Sequence, residues 1–130
     1  VISADQLVAH AVGDYLLQSD WMATEKTRRS FAAAVHALAY TVAFLPLSPS
    51  LASLAVIAGT HFVIDRWRLA RYVVWAKNWI APPGHGPRPW RECAATGYAP
   101  DRPVWLATWL LIIADNTLHV LCNAAALRWL

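Results

Sequence analysis

From Phe31 to Ile64 the chain carries no Asp, Glu, Lys or Arg, and from Val104 to Leu127 its only charged residue is Asp115. Both runs exceed the roughly 18 residues that mark a membrane-spanning helix. Such segments must lie away from water, and a chain of 130 residues has little interior in which to hide them. At 58% hydrophobic and only 15% charged residues, with a mean hydropathy of +0.35, the composition is more apolar than that of an ordinary soluble domain. The bilayer is therefore the expected solvent. Trp21, Trp67, Trp75, Trp79, Trp105 and Trp109 flank the apolar runs and Trp129 marks the far end, as amphipathic rings do at the headgroup level. No basic region precedes the first apolar segment, so no cleaved signal peptide is expected. Cys93 and Cys122 form no metal or redox motif.

These features predict an all-α fold, an integral membrane bundle of about four transmembrane helices forming one domain over 1–130. The helices are expected at about 2–18, 30–47, 51–80 and 104–130. Pro46 and Pro49 bracket a tight turn between the second and third, and the Pro- and Gly-rich stretch 81–103 reads as a loop. A helix over 51–80 would outreach a hydrocarbon core of about 30 Å, so its basic, aromatic end, RWRLARYVVWAKNWI, is expected as an interfacial amphipathic extension. Lys26, Arg28 and Arg29 fall between helices one and two, and seven further basic residues, Arg66 to Arg102, fall between the apolar parts of helices three and four. The positive-inside rule then predicts a multi-pass protein of the inner (plasma) membrane with both basic loops in the cytoplasm and both termini outside. The pI near 9.2 is thus a topology signal. No nucleic-acid motif accompanies it, and nucleic acid is not an expected partner. The expected partners are membrane lipids, with a second copy of the chain or a host membrane protein beside them.

Inside the apolar runs, three histidines have an aspartate four residues away: His10 with Asp14, His61 with Asp65, and Asp115 with His119. That spacing stacks each pair on one helix face. His36 adds a fourth histidine, and Gln18, Tyr40 and Asn123 extend the polar seams by a turn. An ionisable group at the centre of a membrane helix costs roughly 2.5–3.5 kcal/mol or more, so the seams must face one another, water or an ion. Counting about 1.5 Å per residue, His10, His36 and His61 fall at one depth, with Asp115 slightly deeper.

Imidazole and carboxylate ligands on neighbouring helices suit Zn, Mn or Fe, and a site with an open position lowers the pKa of bound water. The expected metal ligands are His10, His36, His61, Asp65 and His119, with Zn or Mn as the ion, and Asp14 and Asp115 are the expected catalytic carboxylates. A metal-free polar or proton-conducting network and scattered structural pairs use the same residues. His85, in PPGHGP, reads as a solvated loop residue, and Asp20 and Glu25 as solvated loop charges. Arg66, Arg68 and Arg71 read as topology anchors able to meet lipid phosphate.

The run HAVGDYLLQSDWMA, followed by VHALAY and then HFVIDRWRLARYVVWAKN, resembles a family of short, uncharacterised membrane proteins of bacteria and their phages, classed as a domain of unknown function. The resemblance covers most of the chain, from helix one to the end of helix three. Its motif positions would be His10, Gly13, Asp14, Gln18, Asp20, His36, His61, Asp65 and Arg66. The family has no established activity, so the resemblance implies a fold. The H-x-x-x-D pattern on a membrane helix is also similar, at the level of pattern, to membrane-bound metal-dependent hydrolases. That similarity implies attack of activated water on an ester or phosphoester at the cytoplasmic leaflet. Proton or divalent-ion transport, and a phage-type protein acting on a host membrane complex through its Trp-rich loop, are the competing functions.

Overall fold

Serine hydroxyls begin three of the helices. In the computed structural model, which describes residues 2–130, Ser3 accepts from the Gln6 amide at the head of α1 (Ala4–Ala11) and Ser19 accepts from the Met22 amide at the head of α2 (Asp20–Glu25). Ser50 accepts from the Ser53 amide in the first turn of α4 (Leu51–Trp67). Each bond satisfies an amide that the first turn leaves unpaired, typically worth ~1 kcal/mol. Between them, α3 (Ser30–Val42) runs into a 3₁₀ turn, Leu45–Leu47, that closes on Ser48 in the left-handed conformation (φ 50°). The chain continues through α5 (Ala70–Lys77), α6 (Trp90–Cys93) and α7 (Val104–Trp129). The fold is all-α, with no strand among the described residues.

Two of the expected helices are interrupted. After Ala11 the first widens into a π-helical turn, Val12–Leu16, in which the Leu17 amide reaches back five residues to the Val12 carbonyl at 3.0 Å. The run expected over 51–80 breaks at Arg68, whose φ of 52° ends α4. A left-handed non-glycine residue costs roughly 1–2 kcal/mol. Here the bonds from Arg68 Nη2 to the Ala95 carbonyl (2.8 Å) and from Arg71 Nη1 to the Ala94 carbonyl (2.9 Å) offset it.

The chain divides into two compact units, one running to Trp67 and taking in Leu118–Leu130, the other Arg68–Thr117. In the first, Tyr40, Phe44 and Ile57 pack with Ala9 and Ala126. In the second, Val74, Tyr98 and Ala107 pack with Leu111 and Ala114. Gly97, at φ +86°, lies so close to the Arg71 carbonyl and the Val74 side chain that a Cβ would collide with both.

Of the four or so spans expected, one helix among the described residues, α7, is long and apolar enough to cross a membrane. The apolar α3 has 13 residues and α4 has 17. The 3₁₀ turn at Leu45–Leu47 divides the run from Phe31 to Ile64, and the break at Arg68 ends α4, leaving pieces below crossing length. Many large apolar side chains nonetheless face outward, among them Leu16, Phe31, Leu51, Val104, Trp105 and Ile113.

Candidate metal centre

The first unit brings four of the singled-out residues to one point. Asp14 comes from the π turn, His36 from α3, and His61 and Asp65 from adjacent turns of α4. All four are buried. His36 Nε2 and His61 Nε2 are 2.9 Å apart. Asp14 Oδ1 lies 3.3 Å from the first and 3.4 Å from the second, and Asp65 Oδ2 lies 3.2 Å and 3.1 Å from them. One ligand atom from each of the four residues lies within 4.8 Å of all the others, so the group is positioned to hold a metal ion.

More polar atoms converge here than the imidazole nitrogens can pair by hydrogen bonds. An imidazole nitrogen makes one in-plane bond, as donor or as acceptor. His36 Nε2 has four polar atoms around it: His61 Nε2, Asp65 Oδ2, Asp14 Oδ1 and, at 3.2 Å, Lys26 Nζ. The five distances, 2.9–3.4 Å, are of the size that the edges of a coordination polyhedron would have. Bonds of 2.0–2.1 Å give tetrahedral edges of roughly 3.3–3.4 Å and right-angled edges of roughly 2.9 Å. His36 Nδ1 and His61 Nδ1 are buried without a hydrogen-bond partner, so neither tautomer is fixed from outside and both Nε2 lone pairs are free to point inward.

A scaffold of aromatic rings holds the histidines. Tyr40 stacks on His61 with centroids 3.7 Å apart, and His36 meets His61 edge-on at 4.8 Å. Asn123 Nδ2 donates to the Tyr40 hydroxyl at 2.6 Å, and that hydroxyl is 2.8 Å from His10 Nδ1. Tyr40 fits against the π turn because residue 13 is glycine: a Cβ there would run into the Tyr40 ring. Gly13→Ala is therefore expected to cost about 1–3 kcal/mol by overpacking, and to shift the His61 ring with Tyr40. Thermal unfolding of the purified variant checks this, and a melting temperature equal to wild type would contradict the close approach.

The remaining predicted residues stand outside the four. His10 Nδ1 is 3.4 Å from Asp14 Oδ2, the oxygen turned away from His36 and His61, so His10 is placed to orient Asp14 and Tyr40. His119 Nε2 lies 3.4 Å from Asp65 Oδ1, again the outer oxygen, with its ring 4.1 Å from that of His61. Asp14, expected as a base, has its Oδ1 among the ligand atoms. Asp115 is half-buried one turn before His119 on α7. Asp20 is exposed at the head of α2, and Glu25 pairs with Arg29 at 2.8 Å.

Lys26, read from the sequence as a topology charge, is part of the centre. Its Nζ lies 2.9 Å from Asp65 Oδ2. The signal that leads to it is the Ser19–Asp20 helix start, which turns the link into α2 and folds Lys26 back. Arg66 helps hold it there, donating to the Thr27 carbonyl at 2.9 Å and to Ser30 Oγ at 3.2 Å. Cys93 offers no activated nucleophile, since burial pushes its thiol up and the neighbouring Glu92 adds to the shift.

Among families of known proteins, one described as a protein of unknown function, DUF3307, matches residues 2–97, most of the chain. The chain belongs to that family. In this DUF3307 protein the matched stretch contains Asp14, Lys26, His36, His61 and Asp65, while His119 and Asn123 follow it. No curated protein and no solved structure matches the chain.

Proposed function

We propose that this protein is a small integral membrane protein that binds one divalent transition metal ion, Zn or Mn, through His36, His61, Asp14 and Asp65. One observation carries the reading: two imidazole nitrogens 2.9 Å apart, each within 3.4 Å of two carboxylate oxygens, in a buried site. Two carboxylates and two neutral imidazoles carry two negative charges, of which Lys26 offsets one, and the donor set suits Zn or Mn. The many large apolar side chains exposed on α1, α3, α4 and α7 support placement in lipid, since exposed apolar surface is costly in water.

An ion held by these four residues would supply the chemistry of metal-dependent hydrolysis. Lys26 supplies a cation beside the ligand set, suited to an anionic ester or phosphoester oxygen. His10 and His119 would fix the outer oxygens of Asp14 and Asp65. Hydrolysis at the cytoplasmic leaflet is the activity this reading favours.

A second reading rests on Lys26 itself. With its ammonium 2.9 Å from Asp65 and 3.2 Å from His36, the cluster is a buried ion network with the lysine as resident cation. The readings separate on metal content. Protein extracted from carbonate-washed membranes with detergent, incubated with zinc or manganese and desalted, is expected to hold about one ion per chain, and Asp65→Asn at matched folding to hold far less. Protein released by the carbonate wash would remove the membrane assignment. Wild type that stays metal-free would leave the lysine network as the better account.

A further inference from the structure

The second unit contains a cavity of about 270 Å³ lined by the loop 84–88, Tyr98 and Asp101–Arg102, separate from the His/Asp cluster of the first unit. Its charged side chains are Arg88, Arg102 and Asp101. Arg88 approaches Asp101 at 3.5 Å and Glu92 at 3.7 Å, and Arg102 Nε is 4.0 Å from Asp101. All three distances exceed the roughly 2.7–2.9 Å of a close charge-assisted bond. One carboxylate is thus loosely shared by two guanidiniums, each with donors to spare, and His85 stands on the same wall.

Tyr98 provides an independent observation. The residue is 9% exposed and its hydroxyl is buried without a hydrogen-bond partner. A buried hydroxyl left unbonded is destabilising and rarely retained without a reason. It lines the cavity that Arg88, Arg102 and His85 also line. The backbone around the cavity is held in place: Trp75 Nε1 donates to the Arg88 carbonyl at 2.9 Å. Gly84 and Gly86, which also line the cavity, have open space where a Cβ would stand.

We propose that this cavity binds the phosphate group of a small phosphate monoester. Two guanidiniums match a tetrahedral dianion with paired N–H donors, and Tyr98, whose hydroxyl is unpaired, stands on the same wall. The volume is near the lower limit of small-molecule sites, so it fits the phosphate and a few further atoms. The same chemistry comes from a soluble ester or from a lipid with a terminal phosphomonoester headgroup.

The test uses the full chain in detergent with chelator present, so that no ion at the His/Asp cluster contributes, and the Arg102 and Tyr98 variants assign what binding remains to the cavity. In one arm, glycerol 3-phosphate is titrated by calorimetry. In the other, the chain is purified from mixed phosphatidylcholine and phosphatidic acid and the retained lipid is measured. Binding in the first arm assigns a soluble ester and selective retention in the second assigns a lipid, and either supports the site. Tyr98→Phe is expected to weaken that binding about tenfold or more while melting no lower than wild type without ligand, because the hydroxyl it removes has no partner in the ligand-free protein. Arg102→Gln should weaken it at least as much. The proposal is overturned by binding in neither arm at millimolar probe, or by Tyr98→Phe binding as wild type does.

Discussion

Lys26→Met is expected to destabilise the metal-free protein by about 3 kcal/mol and to tighten zinc binding at least about tenfold. The first effect follows from burial. Asp65 has a side chain only 4% exposed, and its Oδ2 is 2.9 Å from the Lys26 ammonium. Removing one partner of a buried pair leaves the other charge uncompensated, which typically costs about 3–5 kcal/mol. We take the lower end because the Lys26 side chain retains 17% exposure. The second effect has the opposite sign because the ammonium and a dication would share the same carboxylate. Like unit charges about 4 Å apart repel by about 4 kcal/mol at an effective dielectric of 20, so the variant should favour the ion. Zinc at a hundred times its dissociation constant should then restore about 2.7 kcal/mol. Unfolding of wild type and variant in detergent, each with chelator and with zinc, measures both effects. A variant as stable as wild type under chelator would remove Lys26 from the centre, and one that zinc fails to rescue would argue against the ion.

The second large effect is a gradient across the histidines. His61→Ala removes a nitrogen that is 2.9–3.4 Å from the other three ligand atoms, and is expected to abolish measurable zinc or manganese binding. His10→Ala removes a residue that meets the outer oxygen of Asp14 and the Tyr40 hydroxyl, and is expected to weaken metal affinity about 10–100-fold without abolishing it. Competition against a chelating dye gives both affinities, with circular dichroism to confirm that the helices persist. Equal losses in the two variants would mean that the structure misplaces the boundary between ligands and their supports.

That boundary is where the sequence stops being informative. The i, i+4 spacing of His61 and Asp65 puts both on one face of α4 whatever else the chain does, and the charge-free run from Phe31 to Ile64 makes that face's burial unavoidable. Helical periodicity likewise placed His36 and Tyr40 on one seam, and the structure finds both in the same polar core. Periodicity does not say which carboxylate oxygen faces which ring. His10 and Asp14 have the spacing of His61 and Asp65, yet one pair contributes two ligand atoms and the other contributes one. The difference comes from the π turn, which no composition or moment reveals, and from Tyr40, whose hydroxyl engages His10. Lys26 was hidden for another reason: a lysine between two apolar runs satisfies the positive-inside rule by position alone, and only the short α2 shows that it turns inward. The break at Arg68 was equally invisible, since a left-handed turn at a non-glycine residue depends on the carbonyls its side chain finds.

The widened turn at Val12–Leu16 ties the shape of the backbone to the occupancy of the site. A π turn is a rare departure from regular helix, favoured only where its surroundings repay the poorer geometry. Its inward-facing carboxylate, Asp14, meets both histidines, so whatever neutralises that cluster also steadies the turn. By linkage the influence is reciprocal: a change that returned residues 12–16 to ordinary α-helical winding would carry Asp14 round the helix axis and loosen the grip on a cation. On the proposed metal binding, the first helix would then be a gauge whose register reads whether the centre is filled.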